Sequence, residues 1–173
     1  EQLSPKMKSW AGKSADRRGA AFSAEVAAKL GEMGWQVETE VRVTKLLGRG
    51  FDMDYVDVDV LAWDAASSRV LIIECKDLHY RKTYGEISEQ LADFRGELRD
   101  DGKRDYLLRH FDRMNILHQH LAEVVRYVGI SSQPILESHL VFKNPVPMQF
   151  ALKFMEERVT VSNFDQLPTN FVR

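Results

Sequence analysis

Two short apolar runs with a small polar stretch between them constrain this chain more than any other feature. Tyr55 to Trp63 and Arg69 to Lys76 are rich in Val, Ile and Leu, and Asp64 to Ser68 between them has the make-up of a hairpin turn. Centring the turn between Ala66 and Ser67 sets Asp59 opposite Glu74 and Asp57 opposite Lys76. Strand side chains alternate, so these four share one face. Nearer the turn that face carries Leu61 with Ile72 and Trp63 with Val70. The other face carries Val58 with Cys75, Val60 with Ile73 and Ala62 with Leu71. A hairpin apolar on both faces belongs in the middle of a sheet covered on both sides. Two carboxylates opposed at its end repel each other unless they share a proton or hold a cation.

The flanking segments supply the covering layers. Glu1 to Lys13, with Pro5 and Gly12, shows no period and is expected to be an arm, made basic by Lys6, Lys8, Lys13, Arg17 and Arg18. From about Ser14 to Met33 the positions Phe22, Val26, Leu30 and Met33 form a helical stripe, and Gly34 stops it. Gln36 to Val43 alternates like a strand, and Leu46 to Asp54 reads as a loop. A helix is expected from about Gly85 to Asp100, then one long helix from about Asp105 to Tyr127. Ile135 to Phe142 and Val159 to Val161 are expected strands, and Phe164 to Leu167 a terminal turn. The expected fold is α/β, a central mixed sheet flanked by helices, in one domain over 14–173.

With 173 residues, 44% of them hydrophobic and 29% charged, the chain has enough apolar side chain for one globular core. Lys and Arg number 24 against 26 Asp and Glu, which excludes a wholly basic nucleic-acid coat but leaves room for a local patch. The single cysteine, Cys75, excludes an intrachain disulfide framework and fits a reducing, cytoplasmic setting. No apolar run approaches the roughly 18 residues of a membrane span. No secretory leader is evident either. A start at Glu1 rather than Met leads to the expectation of a larger polypeptide around this chain.

Paired carboxylates and a lysine suggest a chemistry. A hard cation such as Mg²⁺ takes carboxylate oxygens and keeps several waters. The Lys76 ammonium can orient one of those waters or help deprotonate it. The plain alternative is a cross-strand ion pair of Asp57 with Lys76. The runs Asp57-Val58-Asp59-Val60-Leu61-Ala62 and Ile72-Ile73-Glu74-Cys75-Lys76-Asp77, with the order helix, three strands, helices, strand, resemble the PD-(D/E)xK nuclease superfamily, which includes Holliday-junction resolvases and many restriction endonucleases. The resemblance covers about Arg17 to Phe142, and Asp59 lacks the preceding Pro of the motif's name.

The resemblance implies a Mg²⁺-dependent nuclease of restriction-endonuclease-like fold, with Mn²⁺ able to substitute. Asp59 and Glu74 would hold the metal, with the backbone carbonyl of Cys75, and Lys76 would position the water. Products would carry 5′-phosphate and 3′-hydroxyl ends, and DNA is the expected substrate. Many members place a Glu of the first helix at the metal; Glu25 corresponds. Gln90-Leu91-Ala92-Asp93-Phe94 is similar to the Gln-x-x-x-Tyr motif of the exonuclease-like branch, with Phe94 for Tyr. The alternative of another class is a non-catalytic module on the same fold that binds nucleic acid or a partner.

Other candidates carry less. His79, Tyr80, Arg81, Lys82 and Tyr84 form a basic and aromatic loop that can touch phosphates, as can Arg17 and Arg18. Gly12-Lys13-Ser14 is no P-loop, because Met7 stands where the first Gly is needed. Gly48-Arg49-Gly50 reads as a turn. His118 and His120 point in different directions on a helix, and no second Cys is present for zinc. Cys75 reads as structural. The apolar stripe from Leu107 to Val128 is core, with length to spare for a homodimer contact.

Overall fold

A computed structural model describes residues 4–131, 133–151 and 158–172, with side chains for all of these but 5–13, 15 and 16. Five strands form one sheet in sequential order: β1 (Gln36–Arg42), β2 (Asp57–Asp64), β3 (Arg69–Lys76), β4 (Ile135–Phe142) and β5 (Thr160–Asn163). β1, β2 and β3 pair antiparallel; β4 runs parallel to β3, and β5 parallel to β4. A parallel neighbour requires a crossover, and the segment between β3 and β4 supplies it as α3 (Tyr84–Ala92), α4 (Tyr106–Gln119) and α5 (Leu121–Val128). The fold is therefore α/β, with a five-strand mixed sheet flanked by helices, and at this level it fits a restriction-endonuclease-like core.

Both faces of the central strands are covered, as their two-sided apolar pattern requires. On one face α1 (Pro5–Glu32) lays Phe22, Val26 and Leu30 over Val60, Ala62, Leu71, Ile73 and Cys75. On the other, α2 (Val43–Leu47), α4 and α5 place Leu46, Leu117, Val124 and Val128 against Leu61, Val70 and Ile72. A third cluster joins Phe94 and Phe111 to Leu140, Phe142 and Met148, the last in the short α6 (Met148–Ala151). The chain ends in a 3₁₀ turn (Phe164–Gln166) and α7 (Leu167–Asn170); the carbonyl of Phe171 there accepts the Trp35 indole N–H at 3.0 Å. Among the described residues no helix is long and apolar enough to cross a membrane.

The hairpin register is the expected one from Val60 opposite Ile73 to Asp64 opposite Arg69. Several boundaries differ. The expected arm is helical from Pro5, so α1 begins in that region; the side chains of Lys6, Lys8 and Lys13 lie outside the described residues. The expected loop from Leu46 overlaps the end of α2, which Gly48 closes at a positive φ of 65°. The helix expected over 85–100 ends at Ala92. The single long helix is two, parted at His120 (φ −119°, ψ 40°). That break lets the stripe from Leu107 to Val128 bend over the sheet, where its apolar residues lie in the chain's own core.

Candidate active site

The site lies where β2 and β3 part. The described β2–β3 ladder ends at Val60 and Ile73, so Asp59 with Glu74 and Asp57 with Lys76 are not ladder partners as expected. β2 continues instead with β1 alone, pairing Val58 with Val41 and Asp57 with Arg42. Left-handed backbone at Glu40 (φ 54°) and Val56 (φ 60°) flanks the divergence. For a β-branched residue such as Val56 that conformation is strained. In the gap, the Cys75 N–H donates to Asp59 Oδ2 at 2.7 Å. The carboxylate thus replaces a backbone acceptor at the point where the strands separate.

Glu74 is buried and takes a cation on each oxygen. Lys76 Nζ donates to Oε1 at 2.5 Å, and Arg113 Nη1, from α4, donates to Oε2 at 2.7 Å. Arg113 also donates from Nε to the Tyr55 carbonyl at 3.1 Å, tying α4 to the approach of β2. Burial would raise the Glu74 carboxyl, but the charges of Lys76 and Arg113 outweigh it and hold the group far below the ordinary range. Burial would likewise lower Lys76; the charges of Glu74 and Asp59 outweigh it and keep the ammonium above the usual lysine value. The Lys76 ammonium also lies 4.9 Å from the centre of the Tyr106 ring. Asp59 behaves oppositely: burial, then the negative charge of Glu74, push it up to about 6. His110, also on α4, is pushed down to about 3 by burial, and its Nε2 pairs with Ser138 Oγ at 2.9 Å.

Asp59, Cys75 and Lys76 line a cleft of about 490 Å³ together with Arg17, Ser23, Glu40 and Asp57. The other expected residues distribute around it. Glu25 does not join the acids; its Oε1 accepts from Lys143 Nζ at 2.9 Å. Gln90 is buried and donates to the His79 carbonyl at 3.3 Å, so it holds the loop after β3. Arg18 Nη1 meets His79 Nε2 at 2.6 Å, while Arg81 and Lys82 are exposed on the same loop. Cys75 is buried on the α1 side, and burial pushes its thiol well up, as suits a structural cysteine.

The sequence reading missed Arg113, His110 and Tyr106. A signal was present: Tyr106, His110, Arg113 and Leu117 recur at helical spacing on a stripe otherwise apolar. A buried arginine there needs an acid, and Glu74 is that acid.

The oxygens offered at the parted strands are hard: the carboxylate of Asp59, which lines the cleft, the buried carboxylate of Glu74 behind it, and the carbonyl of Cys75, which points to the same side of β3 as the N–H bonded to Asp59. At Asp59 burial and the charge of Glu74 outweigh the pull of Lys76, the Cys75 N–H and Arg113, and a divalent cation would relieve the remainder. These residues fit an ion such as Mg²⁺ that keeps most of its waters. Each Glu74 oxygen already accepts from one cation, so a metal would have to share an oxygen with Lys76 or Arg113. No group of three or more His, Cys, Asp and Glu side chains is gathered for a metal among the described residues.

Comparison with curated proteins and with solved structures returns no match. The model of the Upx-like family of anti-phage proteins matches residues 3–167, nearly the whole of the sheet and the helices just described. The chain therefore belongs to the Upx-like anti-phage family.

Proposed function

We propose that the chain is a metal-dependent nuclease of the PD-(D/E)xK type, acting on DNA in defence against phage. One observation carries the reading: Asp59, Glu74 and Lys76 gather at the parted end of a hairpin buried on both faces, with Asp59 and Lys76 lining a cleft and Glu74 buried behind them. Family membership adds the setting, since phage DNA is an available target for an anti-phage protein.

In this reading Asp59, Glu74 and the Cys75 carbonyl hold Mg²⁺ or Mn²⁺, which when bound supplies Lewis-acid stabilisation of charge on the phosphate and leaving oxygen. The chain's own groups do the rest. Lys76, kept charged by Glu74, orients the attacking water and stabilises negative charge as it develops. Arg113 holds Glu74 in place from behind. Asp59, fixed by the Cys75 N–H, lines the cleft.

A binding module on the same fold is the second reading. The compensation of Glu74 by two cations favours it, because that carboxylate is satisfied without a metal.

Purified protein with plasmid or oligonucleotide DNA in Mg²⁺ or Mn²⁺ tests the proposal. The wild type is expected to cut, and Lys76→Ala to lose cutting while keeping a cooperative unfolding transition. Full cutting by Lys76→Ala rules out the lysine's role. No cutting by the wild type, with no cation site lost in Asp59→Ala, favours the binding module. In phage-challenged cells, Lys76→Ala is expected to lose the protection that the wild type gives, measured as plaques at equal protein level.

A further inference from the structure

The five tyrosines divide into two groups. Tyr55 stacks edge-on with Phe51, Tyr106 packs on Phe94, and Tyr127 donates to Glu38 at 2.8 Å. Tyr80 and Tyr84 are 78% and 94% exposed and make no ring contact among the described residues. They stand four residues apart, on the loop that leaves the candidate site and the first turn of α3. Leaving two rings in water forgoes the burial that an aromatic side chain normally supplies.

The segment that carries them is held at several points. It starts at Lys76, inside the site. Gln90 grips the His79 carbonyl at 3.3 Å, and Arg18 meets the His79 ring at 2.6 Å. Beyond Tyr80, a capping box closes the N-terminus of α3. There Glu86 accepts from the N–H groups of Lys82 and Thr83 at 3.1 Å, and Thr83 Oγ1 accepts from the Glu86 N–H. The exposed rings are thus displayed by an anchored loop. Between them stand the exposed cations Arg81 and Lys82. Four residues of chain put Tyr80 at most about 14 Å from Lys76.

Two rings flanking a pair of cations match an unpaired strand, whose bases offer π-faces and whose backbone offers phosphates. A duplex hides its base faces by stacking them on one another and shows the protein mainly its backbone and groove edges. We propose that Tyr80 and Tyr84 are a stacking platform for unpaired bases, with Arg81 and Lys82 on the phosphates, so that the site's substrate class is single-stranded DNA or a single-stranded end. The proposal deepens the nuclease reading and rests on it for nucleic acid as the ligand.

Binding is measured without cleavage, by fluorescence anisotropy of the full chain in EDTA. The probes are a labelled thymidine oligomer, the same oligomer with abasic sites, and a duplex of equal length. The single-stranded thymidine oligomer is expected to bind tightest. Tyr80→Ala and Tyr84→Ala are each expected to weaken it about 5- to 150-fold, and the corresponding Phe variants to restore it. The Ala variants should leave the abasic oligomer's affinity unchanged. Wild-type affinity in both Ala variants overturns the platform, as does equal binding of the abasic oligomer by the wild type. The expected binding pattern without any cutting in Mg²⁺ supports the platform and counts against the nuclease. Cutting with binding indifferent to both tyrosines does the reverse.

Discussion

At the scale of single residues the site is governed by how four charges share a small buried space. Arg113 and Lys76 satisfy Glu74 directly, whereas Asp59 accepts from the Cys75 N–H and feels those two cations less than it feels burial and Glu74. Asp59 therefore binds its proton more tightly folded than unfolded. A carboxyl raised to about 6 in the fold, against about 3.9 in the unfolded chain, favours folding at low pH. Stability is lost as pH rises through that window. Asp59→Asn is expected to remove this loss and raise stability at pH 7 by about 1–2 kcal/mol after allowance for solvent screening and, on the proposed nuclease reading, to remove cutting. Urea midpoints between pH 4 and 7 measure it; a steeper pH dependence in the variant contradicts the account. Arg113 works in the other sense. Arg113→Met deprives a buried carboxylate of one of its two cations and is expected to cost about 3–5 kcal/mol in chemical denaturation.

At the scale of elements, caps and breaks place the site's helices. Asp105, buried at the N-cap of α4, accepts from the Leu108 N–H at 2.7 Å with one oxygen and from Gly96 and Glu97 N–H at 2.8 and 3.1 Å with the other. One side chain thus starts α4 and closes the turn after α3, and α4 brings Arg113 and His110 to Glu74. Asp105→Ala leaves three N–H groups without their acceptor. It is expected to cost about 2–3 kcal/mol, and Asp105→Asn less, read from thermal or urea unfolding. Equal stability of Asp105→Ala and the wild type would show that water or a neighbouring carbonyl takes over. The break at His120 belongs to the same scale. The apolar period continues across the break, so a periodicity argument joins α4 and α5, and the His120 backbone is what parts them.

At the scale of the whole molecule, β2, β3 and β4 are covered by α1 on one side and by α4 and α5 on the other. Amides of these strands are expected to exchange with solvent only on global unfolding, while those of α3 exchange earlier, because Gln90 is its only fully buried residue. Native-state hydrogen exchange in low denaturant checks this; α3 protected as strongly as β3 would contradict it. The early-opening region is the one that bears Tyr84 and, on the adjoining loop, Tyr80. A segment that meets substrate is expected to come from the less stable end of a fold.

Local chemistry was enough to determine the hairpin from Val60 to Ile73, the extents of β3 and β4, and the α/β class, since period, turn composition and two-sided apolar runs act over a few residues. It also singled out Asp59, Glu74 and Lys76, which fall within one hairpin. The parting of β2 from β3, the Arg113 grip on Glu74 and the turn of Glu25 towards Lys143 depended on tertiary structure. Each joins groups far apart in the chain, and in a buried space the partner that removes most unpaired charge prevails over the one that strand register would supply.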